Sequence, residues 1–77
     1  MDVEVKLYGL FQQYAPEKRQ VFQLELPPGA TVEGLLKILK IPVDQGRTLL
    51  VNGRLSGPER VLEPEDTIVI FSPMCGG

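Results

Sequence analysis

The sequence predicts an α+β domain, a mixed sheet of four to five strands wrapped around one main helix. Three observations predict it. Two segments alternate apolar and polar residues, Val3-Val5-Leu7 and Phe22-Leu24-Leu26, which is the period of a half-buried strand. A single stretch from Val32 to Leu39 carries apolar residues at helical spacing. A nearly continuous apolar run, Ile68-Val69-Ile70-Phe71, comes late in the chain. One helix with one apolar stripe needs one sheet face to cover it, and 77 residues suffice for one thin core of that kind.

Each element has local support. After the first strand, Leu10, Phe11 and Tyr14 fall at near-helical spacing, so a short helical turn ends before Pro16. Pro16 to Arg19 is a charged turn, and the second strand returns antiparallel to the first after this long connection. Pro27-Pro28-Gly29 stops that strand. Thr31 is a good N-cap, because its hydroxyl can accept a hydrogen bond from an orphan N–H of the first helical turn. Glu33 places negative charge at the positive end of the helix. Val32, Leu35, Leu36 and Leu39 form the stripe, and Lys40 is placed in the last turn before Ile41-Pro42 ends the helix. Gly34 inside the helix costs about 1 kcal/mol against alanine, which a close approach of helix to sheet would explain.

Residues 43–47 read as a loop. Leu49, Leu50 and Val51 form a third strand, and Asn52-Gly53 is a strong hairpin-turn signal leading to Arg54 and Leu55. Leu62 is an isolated apolar anchor before the acidic turn Glu63-Pro64-Glu65-Asp66. The strand from Thr67 to Phe71 is apolar enough to be central and covered on both faces for part of its length. The first and last strands then lie side by side in the middle. This arrangement is the β-grasp.

Composition removes several kinds of chemistry. The chain has no histidine and a single cysteine, so it cannot supply a Ser-His-Asp or Cys-His site, an internal disulfide or a histidine-based metal site. An iron–sulfur cluster needs four thiolates. A net charge of −2 argues against nucleic acid as a partner. No apolar stretch is long enough to span a bilayer, and no secretory signal precedes the first strand, so no membrane and a cytoplasmic location are expected. Glu63, Glu65 and Asp66 are close in sequence, but acid–base work needs burial to shift a carboxyl pKa, and a proline-bearing turn is the wrong place for it. Arg47, Arg54 and Arg60 read as ordinary surface charge.

What remains is the C-terminal segment, expected to be a flexible tail over residues 73–77 following a domain over residues 1–72. Pro73 blocks extension of the last strand, and the sequence given ends on Gly76-Gly77. Glycines carry no Cβ, so such a tail can lie flat in a narrow channel and leave its final carboxylate within reach of an enzyme. The plainer reading is a frayed, idle terminus.

The chain resembles the ubiquitin-like sulfur carriers, which include the small subunit of molybdopterin synthase and the sulfur carrier of thiazole synthesis. The resemblance lies in Val5-Lys6-Leu7-Tyr8 leading to Leu10-Phe11, in Pro28-Gly29-Ala30-Thr31-Val32 with Leu35-Leu36, and in Val51-Asn52-Gly53. It continues in Leu62, Asp66, the run Ile68 to Phe71 and Gly76-Gly77. Two positions depart from the family pattern. Glu65-Asp66 stands where the family usually has Gly-Asp, so this turn either avoids positive φ or is strained. Cys75 stands where a small inert residue is usual.

The resemblance implies a co-substrate rather than an enzyme. The Gly77 carboxylate is adenylated inside an E1-like adenylating enzyme that uses ATP, and this chain itself binds no cofactor and no metal. A persulfide from a sulfurtransferase or cysteine desulfurase then displaces AMP, and the resulting thiocarboxylate hands its sulfur to a precursor held by the large subunit of a synthase. In that scheme Gly77 carries the sulfur and Gly76 keeps the tail thin. Pro73 stiffens the tail root, which lowers the entropy lost on docking. Phe71 and Met74 are apolar partner contacts, although Phe71 is as readily an ordinary core residue. Cys75 reads as a small hydrophobe beside the reactive end and not as a required thiol.

Two other classes use much of the same sequence. A ubiquitin-like modifier ends in an isopeptide bond to lysine through the same adenylation. A binding module without chemistry would not need Gly76-Gly77. Within the carrier reading, the Leu10-Phe11 region and Phe71-x-Pro73 favour the molybdopterin pathway, while the short link between helix and third strand favours thiazole.

Overall fold

The computed structural model describes residues 1–42 and 48–71. The strands are β1 (Asp2–Leu7), β2 (Val21–Glu25), β3 (Thr48–Val51), β4 (Arg54–Leu55) and β5 (Thr67–Phe71), and the helix is α1 (Val32–Ile38). They form one five-stranded sheet in the order β2-β1-β5-β3-β4. β1 and β5 run parallel, and every other neighbouring pair is antiparallel. This is the expected β-grasp, with the first and last strands adjacent in the interior of the sheet.

Alternation in the sequence becomes alternation of burial. Val3, Val5 and Leu7 of β1 are buried, as are Phe22 of β2, Leu49 and Val51 of β3, and Ile68 and Ile70 of β5. All face α1, whose Val32, Leu35 and Leu36 are fully enclosed, each contributing about 1.5–3 kcal/mol before entropy is counted. Leu39 is only partly buried at the helix end. β5 departs from the expectation of cover on both faces. Its burial alternates, with Ile68 and Ile70 buried and Val69 and Phe71 half-buried, because all the helical cover lies on one side.

The long β1–β2 connection is two 3-10 segments, Gly9–Tyr14 and Pro16–Lys18. The expected helical turn thus takes the tighter form, and it seats Phe11 in the core with no exposed surface. Ala15 is extended, as a residue before proline must be.

Both helix ends are closed by local chemistry. The Thr31 hydroxyl accepts the Gly34 N–H at 3.2 Å, as expected for an N-cap. At the other end Leu39 is the C-cap, and Lys40 lies beyond it at φ 63°, so Lys37 and not Lys40 is the cation of the last turn. The Lys40 N–H donates to Lys37 O and the Ile41 N–H to Leu36 O. That crossed pair is the Schellman motif, with a lysine at the left-handed position glycine usually fills. The close approach expected at Gly34 is absent. Among the described residues a Cβ there would meet only Thr31 Oγ1, at 3.8 Å.

Three turns place the remaining strands. Asn52 (φ 54°) and Gly53 (φ 84°) both have positive φ, the signature of the type I′ hairpin between β3 and β4. Pro28-Gly29 turns the chain into the helix, with Gly29 at φ 83° and the Ala30 N–H donating to Pro27 O. Pro64-Glu65 repeats the same design before β5: Glu65 sits at φ 69° and the Asp66 N–H donates to Glu63 O. Proline followed by a positive-φ residue is the type II pattern, which glycine fills without strain. The glutamate at position 65 therefore carries strain, the second of the two alternatives its sequence allowed.

Candidate functional site

The site expected from sequence is the tail and its root. Phe71, the last residue of β5, is described and half-buried on the sheet face away from α1. Pro73, Met74, Cys75, Gly76 and Gly77 lie outside the described residues, as does the loop expected over residues 43–47.

The strand that leads into the tail is tied on both sides. β5 pairs with β1 from Thr67 to Ile70 and with β3 from Ile68 to Phe71. At the tail end the Tyr8 N–H donates to Ile70 O at 3.0 Å. At the other end the Asn52 amide N–H donates to Thr67 O at 2.8 Å, and Asn52 Oδ1 accepts the Thr67 N–H at 3.0 Å. Asp66 closes this end. Its Oδ1 accepts from Asn52 Nδ2 and its Oδ2 from the Glu63 N–H, both at 2.9 Å.

Asp66 is buried, contrary to the expectation of a solvated turn carboxylate. Both carboxylate oxygens are occupied by donors of the chain itself, which satisfies the charge and assigns the group to holding the turn. Glu63 and Glu65 remain exposed. Arg54 and Arg60 are also exposed, in keeping with surface charge, and Arg47 lies outside the described residues.

The strand register reveals a surface that no single segment shows. Val21 pairs with Lys6, Lys6 with Val69, Val69 with Leu50, and Leu50 with Leu55. Cross-strand partners point to the same face. These five residues therefore form one row across all five strands on the open side of the sheet. Val21 is 45% exposed and Leu55 78% exposed, while Val69 and Leu50 are half-buried.

The next level toward the tail holds Phe71 paired with Thr48, with Tyr8 following Leu7 on the neighbouring strand. The level away from the tail is polar: Gln23, Glu4 and Thr67, beside an open hollow of about 340 Å³ that Asp2 and Glu65 also line. The open face thus grades from acidic, through an apolar row with one lysine, to aromatic residues at the tail root. An apolar band on an open sheet face is the kind of surface that marks a protein contact. Sequence reading found Phe71 and missed Val21, Leu50, Leu55 and Val69. The unused signal was the second, outward-facing set of apolar residues in β3 and β5.

Among the described residues no group of three or more His, Cys, Asp or Glu side chains is placed to hold a metal ion. Among them, too, no helix is long and apolar enough to cross a membrane.

Known proteins share this architecture. A putative molybdopterin converting factor subunit 1 from Pyrococcus furiosus is similar at 25% identity and a TM-score of 0.77, over 95% of this chain and 98% of that one. The H. volcanii small archaeal modifier protein 1 gives a TM-score of 0.78 at 16% identity, with 95% and 98% covered. In a complex of subunits 1 and 2 of the molybdopterin-converting factor from Helicobacter pylori, the matching chain gives 0.67 at 24% identity, with both chains covered in full. No curated protein matches significantly by sequence. The profile of the ThiS family matches residues 5–77, from within β1 through the closing Gly-Gly. The chain therefore belongs to the ThiS family of ubiquitin-like sulfur carriers.

Proposed function

We propose that this protein is a sulfur carrier whose Gly77, as the mature carboxyl end, is converted to a thiocarboxylate for cofactor biosynthesis. The observation that carries the reading is the extent of the family match, which runs through Gly76 and Gly77 and does not stop at the end of β5. A carboxylate is a poor acylating group, so the first step is attack of a Gly77 oxygen on the α-phosphorus of ATP inside an E1-like adenylating enzyme. Pyrophosphate leaves and an acyl-adenylate remains. A persulfide sulfur on a sulfurtransferase or cysteine desulfurase attacks the acyl carbon, and AMP leaves. The product is an acyl disulfide to the donor cysteine. A thiol reductant, a second cysteine of the donor or an external dithiol, attacks that donor sulfur, forms a disulfide with it and releases the thiocarboxylate on Gly77.

The folded part has two tasks in this scheme. The sheet fixes β5 so that the tail begins from a rigid base, which limits the conformations to be lost when it threads a partner's channel. The apolar row with Phe71 supplies contact area for the proteins that load and unload the tail, and Pro73 and Met74 continue that contact. Cys75 fills a narrow passage and does no chemistry. The reacting groups other than Gly77 belong to the partners, so the chain acts as a carrier, in the cytoplasm.

The molybdopterin pathway is favoured, with the large subunit of a synthase as the sulfur acceptor. The Pyrococcus likeness and the two-subunit Helicobacter complex support it. The test is pyrophosphate exchange with ATP, catalysed by the cognate activating enzyme. The intact chain should support exchange, and a chain ending at Cys75 should support none. Equal exchange by both would refute the proposal.

A further inference from the structure

We propose that a second copy of this chain adds to the outer edge of β2, joining two sheets about a two-fold axis. The β1–β2 ladder decides which β2 groups are free. The Met1 amino group donates to Leu26 O and the Leu26 N–H to Met1 O, and the Leu7 N–H donates to Gln20 O, at the two ends of that pairing. The bonded positions of β2 are therefore Gln20, Phe22, Leu24 and Leu26. Val21, Gln23 and Glu25 alternate with them and turn their N–H and C=O groups outward. Among the described residues nothing accepts from or donates to these groups.

Exposed sheet edges are usually blunted by lysine, proline, a bulge or a covering segment. Residues 21–25 contain neither lysine nor proline and pair in unbroken register with β1. The other edge strand, β4, is only two residues long. β2 is thus the edge left able to pair.

The edge is complementary to itself. In an antiparallel pairing centred on Gln23, Gln23 meets Gln23 of the second copy, and Val21 meets Glu25 at each end. All three outward N–H groups and all three outward C=O groups are then satisfied. Arg19 has an extended backbone (φ −83°, ψ 127°) and precedes this run by two residues, on the same side as Val21. It lies diagonal to Glu25 of the second copy, within reach of long side chains. Arg19 also lines an open hollow of about 540 Å³ along this edge with Glu4, Pro16, Glu17, Val21, Phe22 and Gln23, where it is the one cation among the described residues. Among the described residues Arg19 has only a 3.6 Å contact between Nε and the exposed Glu17 carboxylate, which a better-placed acid can replace.

The topology keeps such a pair open to chemistry. β5 is parallel to β1, and β1 is antiparallel to β2, so the two copies of β5 point in opposite directions. The C-terminal ends of the two β5 strands then lie at opposite ends of a ten-stranded sheet. The joint is short, so association is weak, with half-saturation on the order of 1 mM.

The test is amide hydrogen exchange and sedimentation equilibrium on the full chain, from dilute solution to the millimolar range. The mass should rise toward two chains, and exchange of the Val21, Gln23 and Glu25 amides should slow severalfold in step. Gln23→Pro removes an outward N–H without touching the β1 ladder and should abolish both effects. Arg19→Glu should weaken association roughly tenfold by setting like charges together, and the double variant Arg19→Glu with Glu25→Arg should restore it, which serves if Gln23→Pro does not fold. The proposal is overturned by a single-chain mass throughout, by association that persists in Gln23→Pro, by no rescue in the double variant, or by protection of these amides only when another protein is added. None of these outcomes bears on the sulfur-carrier reading, on which the proposal does not depend.

Discussion

Asn52 and Asp66 lock together the two turns that meet at the start of β5. The Asn52 amide nitrogen donates to Asp66 Oδ1 at 2.9 Å, while its amide oxygen holds the Thr67 N–H. Asn52 also occupies a left-handed hairpin position that asparagine tolerates better than most residues. One side chain therefore sets a turn, satisfies a buried carboxylate and anchors the strand that carries the tail.

Asn52→Ala should lower stability by about 1–3 kcal/mol, because it leaves a buried carboxylate oxygen without its donor. Asp66→Ala should cost a similar amount by orphaning the Glu63 N–H and the Asn52 amide. Urea unfolding with an unchanged slope checks both. A loss below about 0.5 kcal/mol, the range of a neutral surface change, would show that the lock is not structural.

The two Pro-x turns give opposite expectations. Glu65→Gly should stabilise the fold by about 1 kcal/mol, because the left-handed conformation strains any residue with a Cβ. Gly29→Ala should destabilise by about the same amount. Among the described residues a Cβ at Gly29 would meet nothing within 4 Å, so the expected loss is one of backbone strain. Thermal unfolding of the two variants side by side is the check.

The helix should accept two improvements. Gly34→Ala should add about 1 kcal/mol, since the Thr31 hydroxyl that the new methyl would meet is at an ordinary contact distance of 3.8 Å. Lys40→Gly should add up to about 1 kcal/mol by relieving the C-terminal left-handed residue. The positions lie at opposite ends of α1, so the gains should add in the double variant within about 0.5 kcal/mol.

Leu55→Glu and Phe71→Ser test the open face. Leu55 is largely exposed, so its replacement should leave stability within about 0.5 kcal/mol. Both should raise the KM of the activating enzyme for this protein by roughly tenfold, as expected of apolar anchors in an interface. Unchanged KM for both would remove the apolar row from the docking surface.

These predictions separate what the sequence made legible from what it did not. Val3, Val5 and Leu7 announce their burial because alternation along one strand is a local property. Thr31 and Asn52-Gly53 are equally local, since cap and turn chemistry act over three or four residues. The row Val21-Lys6-Val69-Leu50-Leu55 is different. It draws one residue from each of five strands and exists only once their register is fixed. Lys40 and Glu65 were obscure for another reason. Their backbone conformation is imposed by Ile41 and Asp66, which are buried beside them, and neither lysine nor glutamate signals positive φ. Asp66 looked like a solvated acid because its side-chain donor, Asn52, lies in the β3–β4 turn, distant in sequence, and only the Glu63 amide is local.

The central claim is that Gly77 receives sulfur at its carboxyl carbon. The most direct measurement is the intact mass of the native-ended chain after incubation with the activating enzyme, ATP, a persulfide donor and a thiol reductant, followed by fragmentation of the C-terminal peptide. The account predicts exchange of one oxygen for one sulfur, located on Gly77 and retained in Cys75→Ala. An unchanged mass, sulfur located on Cys75, or adducts joined only through lysine would contradict it.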